Sequence, residues 1–200
     1  MPKRLTQQDW IDFGLTTLAR SGFQALKAEI LARNFGVSRG SFYWHFADLE
    51  TFHAQVIEHW RQVATEAIIA GLGRYDSREQ RLDVLLRGAF GHSARLEIRM
   101  RAWANENALA ARVLKDIDRR RTAYIEQLLT EAGIPPAFAA TRAQLLYWAY
   151  LGAALSRSTL TGARLDRIVV ELELIGLGRL PANAAASEGR RRRPPGRRRG

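Results

Sequence analysis

The spacing of apolar residues narrows the fold more than any other feature of this chain. From Trp10 to Leu177 they recur at every third and fourth position, the period of one helix face, with little of the alternation that marks strands. Glycine closes several of the runs: Gly22 after Leu18, Gly36 after Leu31 and Phe35, Gly71 and Gly73 after Ala67, and Gly133 with Pro135 and Pro136 behind it. Polar caps open them. Thr6 with Asp9 resembles a capping box, Ser38 and Asp48 precede the third and fourth runs, and Ser77 with Gln80 forms another box. The pattern predicts an all-α chain. Its helices are expected from about Thr6 to Ser21, Ala28 to Phe35, Ser38 to Trp44, Asp48 to Gly71, Ser77 to Phe90, Leu96 to Ala104, Ala108 to Ala132, Ala137 to Arg157 and Leu165 to Leu177. In the fourth, Leu49, Phe52, Val56, Trp60, Val63 and Ala67 are expected on one buried face.

Composition removes several function classes. None of the 200 residues is Cys, which excludes disulfides, thiolate zinc sites and a Cys nucleophile and fits a reducing cytoplasm. The longest apolar run, Leu145 to Leu155, falls short of the roughly 18 residues a membrane span needs. The N-terminal residues carry charge without a following apolar segment, so no signal peptide is expected. The four His lack metal-ligand spacing: His53 and His59, six apart, lie on different faces of a helix. No nucleophile elbow, Walker loop or dinucleotide fingerprint occurs, and the expectation is a non-enzyme with no catalytic residues, metal or cofactor. The net charge of +11 favours polyanions, but seven Arg against one Glu in residues 188–200 supply more than half of it. That tail, from about residue 181, is read as disordered.

Function has to come from a local constellation. Two short helices joined by Phe35-Gly36-Val37-Ser38 have the dimensions of a helix-turn-helix: Gly36 permits the sharp turn and Val37 plugs the angle. The second helix of such a unit lies in the DNA major groove. Here it packs Ser38, Arg39, Gly40, Ser41, Phe42, Tyr43, Trp44, His45 and Phe46 into nine positions. Two turns cannot bury so many polar tips without partners. A groove supplies them: guanine O6 and N7 for Arg39, phosphate oxygens for Ser, Tyr and His. Arg39 is read as a base contact, with phosphate or solvent as the alternative, and Trp44 is assigned to the core. Gly40 costs about 1 kcal/mol of helix propensity, a cost that makes sense if the backbone approaches another surface closely.

Gly22-Phe23, the stretch Gly36 to Ser41 and the run Phe42-Tyr43-Trp44-His45-Phe46 resemble, at these separations, the N-terminal domain of TetR/AcrR-type transcriptional regulators. The resemblance spans about residues 5–52; beyond it only the helical character agrees. It implies a homodimeric, ligand-responsive repressor with a three-helix DNA-binding domain and a larger helical domain holding the inducer and the dimer interface. It places Ser38, Arg39 and Ser41 at base- and phosphate-contacting positions, Tyr43 and His45 at phosphate-contacting ones, and Phe46 at a packing position against the fourth helix. Two departures stand out. Lys27 occupies the N-cap of the second helix where the family usually has Thr, and Ala47 and Leu49 stand where it often has Lys. A lost cap costs typically about 1 kcal/mol; Lys27 is a candidate replacement for the missing charge.

The division expected is residues 4–64 for DNA, 65–180 for ligand and dimer, and 181–200 for the tail. The run from Leu145 to Leu151 and the final helix are apolar around nearly their whole circumference, and such helices must be covered on all sides. The cover is either a large internal core or a twin chain; the twin is preferred, with Tyr150, Ala154, Leu172 and Ile175 as candidate contacts and Gly152 and Ala153 permitting close approach. Trp60, Phe90, Trp103 and Tyr124 are candidates to line an inducer pocket for a hydrophobic or aromatic ligand, the alternative being plain core. The chain is thus expected to be a cytoplasmic regulator whose partners are operator DNA, a second copy and a small molecule. The rivals are a nucleoid-like or RNA-binding protein acting through its Arg-rich tail, and an enzyme on a helical scaffold.

Overall fold

The computed structural model describes residues 5–156 and 160–178. The Arg-rich tail, and Arg157 at the end of one expected helix, lie outside the described residues. Among the described residues ten α-helices run in order: α1 (Gln7–Ser21), α2 (Ala28–Phe35), α3 (Arg39–Tyr43), α4 (Leu49–Arg61), α5 (Ala67–Leu72), α6 (Arg78–Gly91), α7 (Arg95–Ala104), α8 (Ala108–Glu131), α9 (Pro136–Leu155) and α10 (Gly162–Leu177). No strand occurs among the described residues, in line with the all-α reading. No helix among them is long and apolar enough to cross a membrane.

The caps explain where the helices begin. Thr6 accepts from the Asp9 amide while the Asp9 carboxylate accepts from the Thr6 amide, a complete capping box. Asp48 accepts from Thr51 N–H at 2.7 Å, Ser77 from Gln80 N–H at 3.0 Å and Asn107 from Ala110 N–H at 2.9 Å. Ser38 is a correction. It stands at the N-cap of α3 but makes no side-chain cap bond, which leaves its hydroxyl turned to solvent.

Two principal cores divide the molecule. The first gathers Trp10, Leu18, Leu31, Phe42, Phe46, Phe52 and Trp60, and α7 and α8 complete it with Met100, Trp103 and Ile117. Its centre is aromatic: Trp10 meets Phe35 and Phe42 edge-on at 4.8 and 5.4 Å, and Phe42 meets Phe52 at 5.2 Å. Helices α1 and α4 approach so closely that a Cβ on Gly14 would sit 2.7 Å from the Phe52 ring. The second core joins α6, α8, α9 and α10 through Leu82, Leu86, Leu129, Leu146, Val169 and Leu172.

Helices α4 and α5 form the single long run expected, with one difference that repositions its far end. Gln62–Glu66 is a turn of π-helix. The extra residue advances the buried face, so Thr65 is 2% exposed while Val63 and Ala67, in phase for an unbroken α-helix, face solvent. Beyond the π turn, Ile69 and Leu72 of α5 leave the first core for a smaller cluster with Tyr124 and Leu128 of α8.

Candidate nucleic-acid interface and ligand cavity

Helix α3 is set by one inward side chain. Phe42 is fully buried against Trp10, Phe46 and Phe52. Gly36, in the left-handed region at φ 72° and ψ 28°, turns the chain from α2 into α3 without the steric penalty a Cβ would carry. Half-buried Val37 sits against the first core beneath that turn. With Phe42 pinned, the remaining side chains of α3 fall on the outer face. Ser38, Arg39, Gly40 and Tyr43 are exposed; Ser41 and His45 are half-buried. Arg39 Nη2 donates to the Tyr43 hydroxyl at 3.3 Å, and its guanidinium carbon lies 5.2 Å from the centre of the Tyr43 ring. That hydroxyl is the main cause holding the Arg39 guanidinium above its ordinary pKa. The i,i+4 pairing stiffens two long side chains while leaving donors turned outward.

Two corrections concern aromatic residues. Trp44 is 74% exposed rather than part of the core, because the inward position is taken by Phe42 and the next by Phe46. Trp103 is buried in the first core, stacked on Phe23 at 5.6 Å, and does not line the cavity between the π turn, α5, α6, α8 and α9. Lys27 is exposed at the N-cap of α2 without a side-chain cap bond. His53 N–H donates to the Leu26 carbonyl at 2.9 Å, bracing α4 against the loop before α2, and burial pushes its pKa down. His59 pairs with Asp12 at 2.8 Å. Among the described residues no three His, Asp or Glu converge as metal ligands would.

A cavity of about 600 Å³ lies where the π turn, α5, α6, α8 and α9 meet. Trp60, Phe90 and Tyr124 line it, as do Tyr147 and Tyr150, which sequence reasoning did not assign there. Ile68, Arg74, Tyr75 and His92 rim it where it opens to solvent. Its inner end is polar. Glu97, 5% exposed, accepts from Arg101 Nε at 2.8 Å and from Arg121 Nη1 at 2.9 Å. Arg121 also donates from Nε to Thr65 Oγ1 and from Nη2 to the Ala64 carbonyl, both at 3.0 Å, so it holds the π turn against α8. Behind them Arg101 forks onto Asp118 at 2.7 and 3.2 Å, and the Tyr147 hydroxyl donates to the same carboxylate. Burial opposes the charge on Arg101 and Arg121, but their carboxylate partners outweigh it and hold both guanidiniums above their ordinary pKa. Burial, helped by Glu97, pushes Tyr150 up to about 12, so its phenol stays neutral.

The candidate dimer contacts divide. Ala154 and Leu172 are buried within the chain, and half-buried Tyr150 faces the cavity and packs on Tyr147 and Phe90, so these three offer a partner little surface. Ile175 is exposed. Leu145, Trp148 and Leu155 on α9, with Val170 and Leu174 on α10, make up the outward apolar stripes.

No protein-family model matches the chain, and no curated protein does. Solved structures do. A TetR transcriptional regulator from Legionella pneumophila is 14% identical, with 86% of this chain and 98% of that one aligned at a TM-score of 0.67. NemR of Escherichia coli, in its reduced form, is 18% identical over 84% and 96% of the two chains, TM-score 0.67. FadR from Bacillus subtilis, in complex with stearoyl-CoA, is 16% identical over 88% and 100%, TM-score 0.62. At such identities a likeness speaks for architecture alone: the chain has the fold of TetR-type transcriptional regulators.

Proposed function

We propose that this protein is a DNA-binding transcriptional regulator, acting as a homodimeric repressor that a small molecule releases from its operator. The observation that carries the reading is the outer face of α3, where Ser38, Arg39, Ser41, Tyr43 and His45 surround a helix anchored from behind by Phe42 alone. An exposed guanidinium and hydroxyls on a rigid backing can exchange their water for base edges and phosphates without unfolding anything. In this reading residues up to about 64 read DNA and those from 65 to about 180 hold the ligand and the twin chain. The uncovered apolar stripes of α9 and α10 support a two-fold pairing through these helices. The cavity supports a regulatory ligand, as does the occurrence of one similar structure in complex with stearoyl-CoA.

A gel shift on the DNA upstream of the chain's own gene tests the reading. Sequence-dependent retardation is expected, and it disappears in the double variant Arg39→Ala, Tyr43→Ala. Retardation indifferent to both sequence and these substitutions contradicts it. The seven-Arg tail favours one rival, a binder driven by charge alone. Removing residues 188–200 separates the two: the regulator keeps its specificity and loses salt-sensitive affinity, about 0.9 in salt slope per phosphate contact given up, whereas the charge-driven binder loses binding outright.

A further inference from the structure

The inner end of the cavity is charged group by group and neutral as a whole. Two carboxylates, Glu97 and Asp118, face two guanidiniums, Arg101 and Arg121, in one connected network. Both Glu97 oxygens accept from a guanidinium, and all three Arg121 nitrogens donate, to Glu97, Thr65 and Ala64. The Arg121 guanidinium carbon also lies 5.7 Å from the Trp60 ring centre and 6.0 Å from that of Tyr150, so the aromatic walls at this end already face a cation. We propose that the cavity selects an uncharged, largely aromatic molecule with one hydroxyl or carbonyl group and discriminates against anions and cations of the same shape. The inference rests on the cavity being the regulatory ligand site.

The argument is one of charge balance. An anion entering the cavity gives up water and gains Arg121 only by taking it from Glu97, which leaves a buried carboxylate short of a partner. A cation that claims Glu97 displaces a guanidinium and meets the field of Arg121 at the faces of Trp60 and Tyr150. Each route exchanges an existing buried pair for a new one and adds the desolvation of the incoming charge. A neutral ligand incurs neither cost. Its ring lies against Phe90, Tyr124, Tyr147 and Tyr150, and its polar group meets hydroxyls. Thr65 accepts from Arg121 and still has a proton to donate, and the Tyr150 phenol, its own proton turned towards Glu97, can accept.

The test uses the full chain and three probes sharing one ring system: naphthol, naphthoate and naphthyltrimethylammonium, titrated calorimetrically at neutral pH. Naphthol is expected to bind at least about tenfold more tightly than either ion. An ion binding equally well or better overturns the proposal, as does the failure of all three to bind; naphthoate binding abolished by Arg74→Ala would mean that the exposed rim captures an anionic head group instead. Tyr150→Phe, which keeps the ring, is expected to weaken naphthol several-fold and leave the ions unchanged; unchanged naphthol affinity counts against the assigned contact. Glu97→Gln unbalances the network towards positive and is expected to move the order towards naphthoate. Should that variant not fold, the native series and Tyr150→Phe still decide. Release of DNA is read separately by gel shift. If naphthol leads but releases no DNA, the ligand class stands and the regulatory reading of the cavity falls; if an ion leads and DNA is released, the reverse holds.

Discussion

The outer face of α3 and the inner end of the cavity are both rich in Arg, Tyr and hydroxyl groups, yet they spend them in opposite ways. On α3 a single aromatic anchor leaves Ser38, Arg39 and Tyr43 exposed, and Arg39 leans on Tyr43. At the inner end of the cavity, and behind it, Glu97, Arg121, Arg101 and Asp118 pair until charge cancels. Exposed groups with spare hydrogen-bonding capacity can be handed to a partner at low cost; a closed buried network decides chiefly what is kept out. On the proposed reading, one region binds a polyanion and the other excludes net charge.

Neighbouring residues break this comparison most sharply. Phe42→Ala is expected to cost about 3–5 kcal/mol of stability, by removing the anchor of α3 from a packed aromatic core, while Tyr43→Ala next to it stays within about 0.5 kcal/mol and loses DNA affinity instead. Urea unfolding and gel shifts on both variants measure this. Equal stability losses would mean that Tyr43 is structural. Beside the cavity, Glu97→Ala is expected to destabilise by about 3 kcal/mol, since it leaves two half-buried guanidiniums without the carboxylate they share, whereas Arg39→Ala leaves urea stability nearly unchanged.

Lys27 sharpens the comparison at smaller scale. Lys27→Thr supplies the missing cap of α2 and is expected to raise stability by about 0.5–1 kcal/mol. If Lys27 contacts phosphate, the same change lowers the salt slope of DNA binding by about 0.9. A gain in stability with an unchanged slope assigns Lys27 no role in binding. The smallest effect is one of pH. Burial depresses the His53 pKa, so the folded state favours the neutral ring. Its contribution is complete above the ordinary His value and is lost as pH falls through the depressed one. The loss of melting temperature between pH 7 and pH 5 should therefore shrink in His53→Gln; an unchanged loss would remove His53 from the account.

The half that carries α3 was legible because its logic is local. Gly36, Val37 and the crowd of polar tips from Ser38 to His45 lie within ten residues, and the capping box at Thr6 and Asp9 spans four. Trp44 was misassigned for a physical reason: an indole usually prefers the core, but on so short a helix Phe42 and Phe46 already fill the inward positions. The cavity network was hidden because Glu97 and Arg121 are joined only by the fold. A trace was present all the same, since Arg121 falls in phase with buried Ile117, Tyr124 and Leu128, a charge on the apolar stripe of α8. The π turn left no periodic signature, so Val63 and Ala67 were expected where Thr65 is found. All-round apolar character pointed to α9 and α10 as helices needing a second cover, but it could not tell Leu145 and Trp148, which face out, from Ala154 and Leu172, which face in.

Footprinting of the full chain on the DNA upstream of its gene tests most directly whether α3 is a paired DNA-reading surface. The account predicts two protected half-sites related by a two-fold axis, with centres about one helical turn apart or more, both lost together in Arg39→Ala, Tyr43→Ala. Protection that is unbroken and independent of sequence, or that survives the double substitution, would contradict it.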